Sequence, residues 1–366
     1  TPPLATGSVP SHRCSMAPNP LWMLTREPAL DALVRELDAA RLRIEAEPHL
    51  MHALRFSRRG LRAARERWSE LLRDGESALH RFCDLAADAL FNATSADDAL
   101  VVQSVVIAEL PGARERFTLI QDVSAAQLHS RTDLDLGNAL LSRLRQLQDG
   151  RWVQPTLVAN FVEYQPRAHN ALGVQKMISR VKAEEELWNK VCDEIFDLDG
   201  LVARDKQLAP LGRFVKDVFG VKVVVGNPSD VAPVHARLVE HRWDDAALAR
   251  YGVASSPSTR GVHVLESKDY LTDGKRSGWK AMKSVLRWAD RTFELQVQPL
   301  ANYLLEREYL THESHVSFKL ARERVRDQVA ARVPLFGFYR DLLRWLLIEP
   351  DASPPLHPGV EVLLGD

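Results

Sequence analysis

At 366 residues the chain is long enough for two domains of ordinary size, each with its own core. A formal net charge of −1 excludes a protein that coats polyanions over its whole surface, while leaving room for local basic clusters. Three cysteines, Cys14, Cys83 and Cys192, are too few and too dispersed for a disulfide framework or a zinc-ligand pair, which fits a reducing compartment.

Residues 1–22 are rich in Pro and Ser and lack a charged-then-apolar leader pattern, so a disordered tail is expected there. Residues 23–150 read as a helical regulatory or interaction region. Leu30, Leu33, Val34, Leu37 and Ile44 recur at helical spacing, as do Leu54, Leu61, Ala64, Trp68 and Leu72. Further helices are predicted near 78–91, 95–108 and 136–148. No paired His–Asp motif or other ligand set stands out in this part.

After "DGRWVQP" the pattern changes, and 155–333 reads as a second domain. "VKVVV" (221–225) is a β-branched apolar run of the kind found in buried strands. A helix is predicted over 231–241, then strands at 261–266, 279–288 and 292–298, then helices at 300–313 and 318–332. A last helix at about 338–348 and a Pro-rich tail complete 334–366. The alternation predicts an α+β fold, a mixed five-stranded sheet flanked by helices, with an N-terminal helical region. No apolar run reaches membrane-spanning length, Leu342–Ile348 being short and interrupted by Arg344. A soluble cytoplasmic protein with no membrane partner is expected.

Four segments of the second region carry chemistry-bearing side chains. In "MISRVKAEEELWNKV" (177–191) an extended start places Arg180 and Lys182 on one strand face, and the acidic run suits the first turn of a helix that bears Lys190. Asp217 stands just before the apolar strand, with Gly220 allowing close backbone approach. In "RTFELQVQP" (291–299) Glu294 is the one charge on the polar face between Arg291 and Pro299. An acid there, paired with Asp217 across a sheet, could hold Mg²⁺ for phosphoryl transfer. "DGKRSG" marks a turn holding Lys275, and a strand from 279 puts Trp279, Ala281 and Lys283 on one face. A solvated basic edge, a turn aspartate and a half-buried strand would each explain one segment without function. Two further observations bear on the set. Every lysine lies between Lys176 and Lys319, although arginine is abundant before that, and no Gly-Lys-Ser/Thr motif occurs, which excludes a P-loop.

Taken together and in order, these segments resemble the synthetase domain of RelA/SpoT-type alarmone synthetases. Ser179-Arg180-Val181-Lys182 followed by Lys190 resembles that family's first motif, and Asp217-Val218-Phe219-Gly220-Val221-Lys222-Val223-Val224 its second. Asp269-Tyr270 with Lys275-Arg276-Ser277-Gly278-Trp279-Lys280-Ala281-Met282-Lys283 resembles the third, and Glu294-Leu295-Gln296-Val297 the fourth. A later match runs from His315 to Phe318-Lys319, so the resemblance spans roughly 170–322. It implies a nucleotidyltransferase-like fold and an ATP-dependent pyrophosphokinase. Arg180, Lys182, Lys190 and Lys275 would hold ATP phosphates. Asp217 and Glu294 would be the catalytic pair and the Mg²⁺ ligands, and Trp279, Lys283 and Gln296 would face the acceptor. ATP is then the donor and a guanine nucleotide the acceptor; a homo-oligomer is compatible with this reading. The acceptor side departs from the family: Trp279 stands for Tyr, Lys283 for His, Ala281 for Ser, Ser277 for Asn, and Gln298-Pro299 for Arg-Thr. An adenine nucleotide or a tRNA 3′ end as acceptor, or an inactive nucleotide-binding module, are the alternatives.

Overall fold

The computed structural model describes residues 28–91, 100–110, 116–148, 150–168, 170–181, 184–196, 219–271, 280–312, 326–349 and 352–366. The tail expected at 1–22 lies outside them. From the N-terminus the elements are α1 (Pro28–Ala46), β1 (His52–Ser57), α2 (Arg58–Phe91), β2 (Leu100–Glu109), β3 (Arg116–Asp122), α3 (Ala125–Ser130) and α4 (Asp133–Leu141). Next come β4 (Gln146–Gln148), β5 (Arg151–Val153), β6 (Thr156–Pro166), β7 (Val174–Val181), α5 (Glu184–Ile195), β8 (Phe219–Val225), α6 (Val231–Glu240) and α7 (Asp245–Arg250). The chain ends with β9 (His263–Asp269), β10 (Met282–Trp288), β11 (Arg291–Pro299), α8 (Leu300–His312), α9 (Pro334–Leu347) and β12 (Val360–Gly365).

The fold is α+β, built on a mixed eight-stranded sheet in the order β3-β2-β6-β7-β8-β11-β10-β9. Strands β8 and β11 run parallel, and the other neighbouring pairs are antiparallel. The described strands that fall within 170–322 form a contiguous run of five, β7-β8-β11-β10-β9. The sheet does not stop there, which corrects the expected five-stranded sheet: β6, β2 and β3 extend it. The helix expected over 95–108 is instead strand β2. Val101, Val102, Val105, Val106 and Ile107 would lose rotamer freedom in a helix, whereas they pack well on a pleated surface between β3 and β6. The helix expected over 136–148 is α4, which ends at Leu141; Gln146–Gln148 turns back on β5. The region 23–150 is therefore helical only in part.

Alternation along the strands gives the sheet two unlike faces. One is apolar: Tyr164, Met177, Phe219, Val223, Phe293 and Leu295 on it are buried. Helix α2 lies against this face, its buried positions Leu61, Ala64, Trp68, Leu71, Gly75, Leu79 and Phe82 recurring every three or four residues. Gly75 is required by this packing, because a Cβ there would lie 2.2 Å from Cζ of Phe219. Helices α1, α5 and α9 add a further layer, in which Trp68 meets Trp188 at 4.5 Å between ring centroids and the Tyr339 hydroxyl donates to the Leu37 carbonyl at 2.9 Å. Strands β1 and β12 pair in parallel, joining residues 52–57 to 360–365.

The other face is polar and partly covered by α8, whose Tyr303 packs on Ile178 and Val224. A two-residue turn at Ala289 (φ 47°) and Asp290 (φ 58°) joins β10 to β11. Both residues have positive φ, the geometry whose twist suits a tight hairpin. That turn fixes the register Lys283↔Gln296 and Val285↔Glu294. Among the described residues no helix is long and apolar enough to cross a membrane.

Candidate functional site

The polar face of β7, β8, β11 and β10 brings together segments that lie far apart in sequence. Arg180 on β7 stands opposite Gly220 on β8, and Gly220 stands opposite Glu294 on β11. Paired residues in a sheet share a face, so Arg180 and Glu294 flank Gly220 at two strand spacings, about 9–10 Å. Among the described residues, a Cβ on Gly220 would meet nothing nearer than the Arg180 carbonyl at 3.9 Å and the Glu294 carbonyl at 4.0 Å. The missing side chain leaves a recess, among the described residues, between a guanidinium and a carboxylate.

One pair further along, Lys222, Gln296 and Lys283 sit abreast on β8, β11 and β10. The Lys283 ammonium reaches diagonally to the Glu294 carboxylate; their side chains are 35% and 11% exposed. Lys222 pairs with Glu306 of α8 at 2.6 Å, and the Gln298 amide donates to the same carboxylate at 3.0 Å. Gln296 donates to Gln298 at 3.1 Å. Under α8, Lys176 pairs with Glu163 at 2.7 Å, and the Tyr303 hydroxyl donates to Glu163 at 3.3 Å. The face thus carries Arg180 together with three cation–carboxylate pairs. Where the pairs lie under α8 they are partly shielded from water, which strengthens each of them. At the other end of this face, Arg180 is exposed among the described residues.

Of the residues expected from sequence, Arg180, Glu294, Lys283 and Gln296 are brought to this one face. Helix α5 carries Lys190, whose side chain lies outside the described residues, and Lys182, Asp217, Lys275 and Trp279 lie outside them too. Strand β10 begins at Met282, three residues after the expected start, so Lys283 lies on it while Ala281 precedes it. Sequence reasoning gave no role to Lys222, Glu306 or Gln298. The signal for Lys222 is visible in hindsight: it is the one charge inside an apolar strand. The opposite, buried face holds a second constellation, where the reading of residues 23–150 found no ligand set. Glu76 and His80 of α2 and Asp133 of α4 present ligand atoms all within 4.8 Å of one another.

No family model matches the chain, and no curated protein matches it. Several solved structures are similar to part of it, three of which follow. The first is the small alarmone synthetase 1 from Bacillus subtilis bound to its product pppGpp, at 14% identity and a TM-score of 0.25, covering 44% of this chain and 79% of that one. The small alarmone synthetase 2 from Bacillus subtilis is 17% identical with a TM-score of 0.23, covering 44% and 82%. A GTP pyrophosphokinase family protein from Streptococcus pneumoniae is 17% identical with a TM-score of 0.23, covering 44% and 77%.

Proposed function

We propose that the chain is a nucleotide pyrophosphokinase of the alarmone-synthetase type, which transfers the β,γ-diphosphate of ATP to the 3′-hydroxyl of a guanine nucleotide. One observation carries this reading. The four sequence segments that resemble the family's motifs run onto the adjacent strands β7, β8, β11 and β10, and their described polar members Arg180, Glu294, Gln296 and Lys283 share the face that holds the Gly220 recess.

In the transfer, the acceptor's 3′-oxygen bonds to the β-phosphorus of ATP while the bond from that phosphorus to the α,β-bridging oxygen breaks. AMP leaves, and the hydroxyl proton passes to a base. Phosphoryl transfer of this kind needs positioning and charge neutralisation more than covalent help from the protein. Arg180 offers a planar fork of donors suited to phosphate oxygens, beside the recess where the chain of phosphates would lie. Lys182, Lys190 and Lys275 would add to this charge. Glu294 is the base: its carboxylate is largely withdrawn from water, and the Lys283 ammonium fixes its direction. Mg²⁺, when bound, would be held by Asp217 and Glu294 and would offset charge on the transferred phosphates. The hard carboxylate oxygens of Glu294 suit such an ion. Trp279 would stack on the acceptor base, which gives affinity without choosing the base.

The Lys283–Glu294 pair also favours attention to the acceptor, since Lys283 stands where the family has His and is held at the base itself. The test is incubation of the purified chain with ATP labelled at the γ-phosphate, Mg²⁺, and in turn GDP, GTP, ATP and tRNA. A labelled 3′-diphosphate on GDP or GTP, with AMP formed in equal amount, is expected. Transfer only to ATP or tRNA would replace the acceptor, and no transfer to any of the four would overturn the enzyme reading.

A further inference from the structure

We propose that Glu76, His80 and Asp133 bind one divalent transition-metal ion inside the core, on the face of the sheet opposite Arg180 and Glu294. Glu76 and His80 lie four residues apart on α2, so their side chains stand on one helical face. Asp133 begins α4, after the N-cap Thr132, and its backbone N–H donates to the Glu76 carboxylate. Nε2 of His80 is 3.1 Å from Oδ1 of Asp133 and 3.9 Å from Oε1 of Glu76. Ligand bonds of about 2.0–2.2 Å put neighbouring donor atoms about 3.0–3.5 Å apart, so side-chain shifts of up to about 1 Å would close the set on an ion.

A second, independent observation points to a ligand. Among the described residues, Oδ2 of Asp133 has no hydrogen-bond partner, although the Asp133 side chain is 6% exposed. A carboxylate oxygen stripped of water and left bare is costly, and a cation among the three side chains would satisfy it. The surroundings already resemble an outer ligand shell. Nδ1 of His80 lies 3.1 Å from the Tyr164 hydroxyl on β6, which would fix the imidazole with Nε2 toward the ion, and the Asn160 amide donates to the Asp133 carbonyl.

Two carboxylates here share one imidazole, all three side chains buried. A dication with a neutral imidazole and two carboxylates sums to zero. One nitrogen and two oxygens suit Mn²⁺, Fe²⁺ or Zn²⁺, whereas Mg²⁺ favours an all-oxygen shell that keeps its waters. With His80 wholly buried and Glu76 8% exposed, the ion would pin α2 and α4 against β6 rather than meet a substrate.

The test uses the full chain, stripped with a chelator and titrated with Co²⁺, Mn²⁺, Zn²⁺ and Mg²⁺. One equivalent of Co²⁺ should give ligand-field absorption of a nitrogen-and-oxygen site, Zn²⁺ should displace it, and in the Glu294→Gln chain both should raise the melting temperature while Mg²⁺ does not. Glu76→Gln and Asp133→Asn should weaken uptake by more than the roughly 10- to 100-fold lost with an outer-shell partner, and Tyr164→Phe by about that amount. Glu294→Gln should leave uptake intact, which separates this site from the proposed catalytic one. No Co²⁺ band at stoichiometric concentrations in the wild-type chain would overturn the proposal, whether or not the variants fold. Equal uptake by folded Glu76→Gln and Asp133→Asn would overturn it as well.

Discussion

Glu294 and Gly220 stand side by side on neighbouring strands and make opposite demands on the chemistry. Glu294 supplies a charge, so replacing it by the isosteric Gln should leave the fold and lower turnover by about 10²–10³-fold, the usual loss when one preorganised electrostatic group is removed. Steady-state transfer rates together with a far-UV dichroism spectrum check this; an undiminished rate would remove Glu294 from the mechanism. Gly220 supplies an absence. A β-branched side chain suits a strand, and the atoms nearest a Cβ there lie at ordinary contact distance, 3.9 and 4.0 Å. Gly220→Val should therefore keep or raise the melting temperature while abolishing transfer, because the new side chain fills the recess between Arg180 and Glu294. A variant that melts higher and still turns over would show that substrate does not occupy that space. Both residues were legible in the sequence, Glu294 as the charge on a polar strand face and Gly220 as the glycine before an apolar run. Their adjacency was not, because it depends on the parallel pairing of β8 with β11, which no local pattern encodes.

Helix α6 docks on β10 through a buried histidine. Nε2 of His235 lies 2.7 Å from the Ser284 hydroxyl, which donates onward to Ser267 at 2.9 Å. Burial holds the His235 imidazole below its ordinary range. The unfolded chain, with a histidine pKa of about 6.5, takes the proton more readily than the folded one. The contribution of neutral His235 is therefore full above about pH 6.5 and is lost as pH falls below it. Melting temperatures measured from about pH 7 to about pH 5 should fall in the wild type and fall less steeply in His235→Gln, whose amide can still bond Ser284. Parallel curves would mean that His235 is protonated equally in both states. At this scale the sequence was read well where one period dominates: β8, β11, α6 and α8 lie within a few residues of their expected spans, while α2 is one helix where a pattern from Leu54 to Leu72 and a separate helix near 78–91 were expected. It was misread at β2, where a run of apolar residues packed on both sides shows neither period. The buried Glu76–His80 pair was readable as two polar residues on the apolar stripe of α2, but its third member, Asp133, comes from another helix.

The whole molecule places the candidate site and its core in different parts of the chain. Residues 155–333 carry every motif of the site, yet the strand that completes the edge of β6 is β2, and the helix that covers Phe219 and Phe293 is α2. Phe82 of α2 stacks on Phe293 at 5.5 Å, with an interplanar angle of 8°. A fragment of residues 155–333 would expose the backbone groups of β6 that pair with β2 and leave that aromatic face to water. Each large apolar side chain uncovered forfeits about 1.5–3 kcal/mol, so a few of them exceed the net stability of an ordinary domain, about 5–15 kcal/mol. The fragment should therefore show no cooperative melting transition and should bind a hydrophobic dye, while a chain starting at residue 28 melts cooperatively. Differential scanning calorimetry of the two side by side checks this. If the fragment melts in a single sharp transition and transfers diphosphate, α2 and β2 are an appendage to the catalytic unit. If it does not, they are part of what holds Arg180, Gly220 and Glu294 in register.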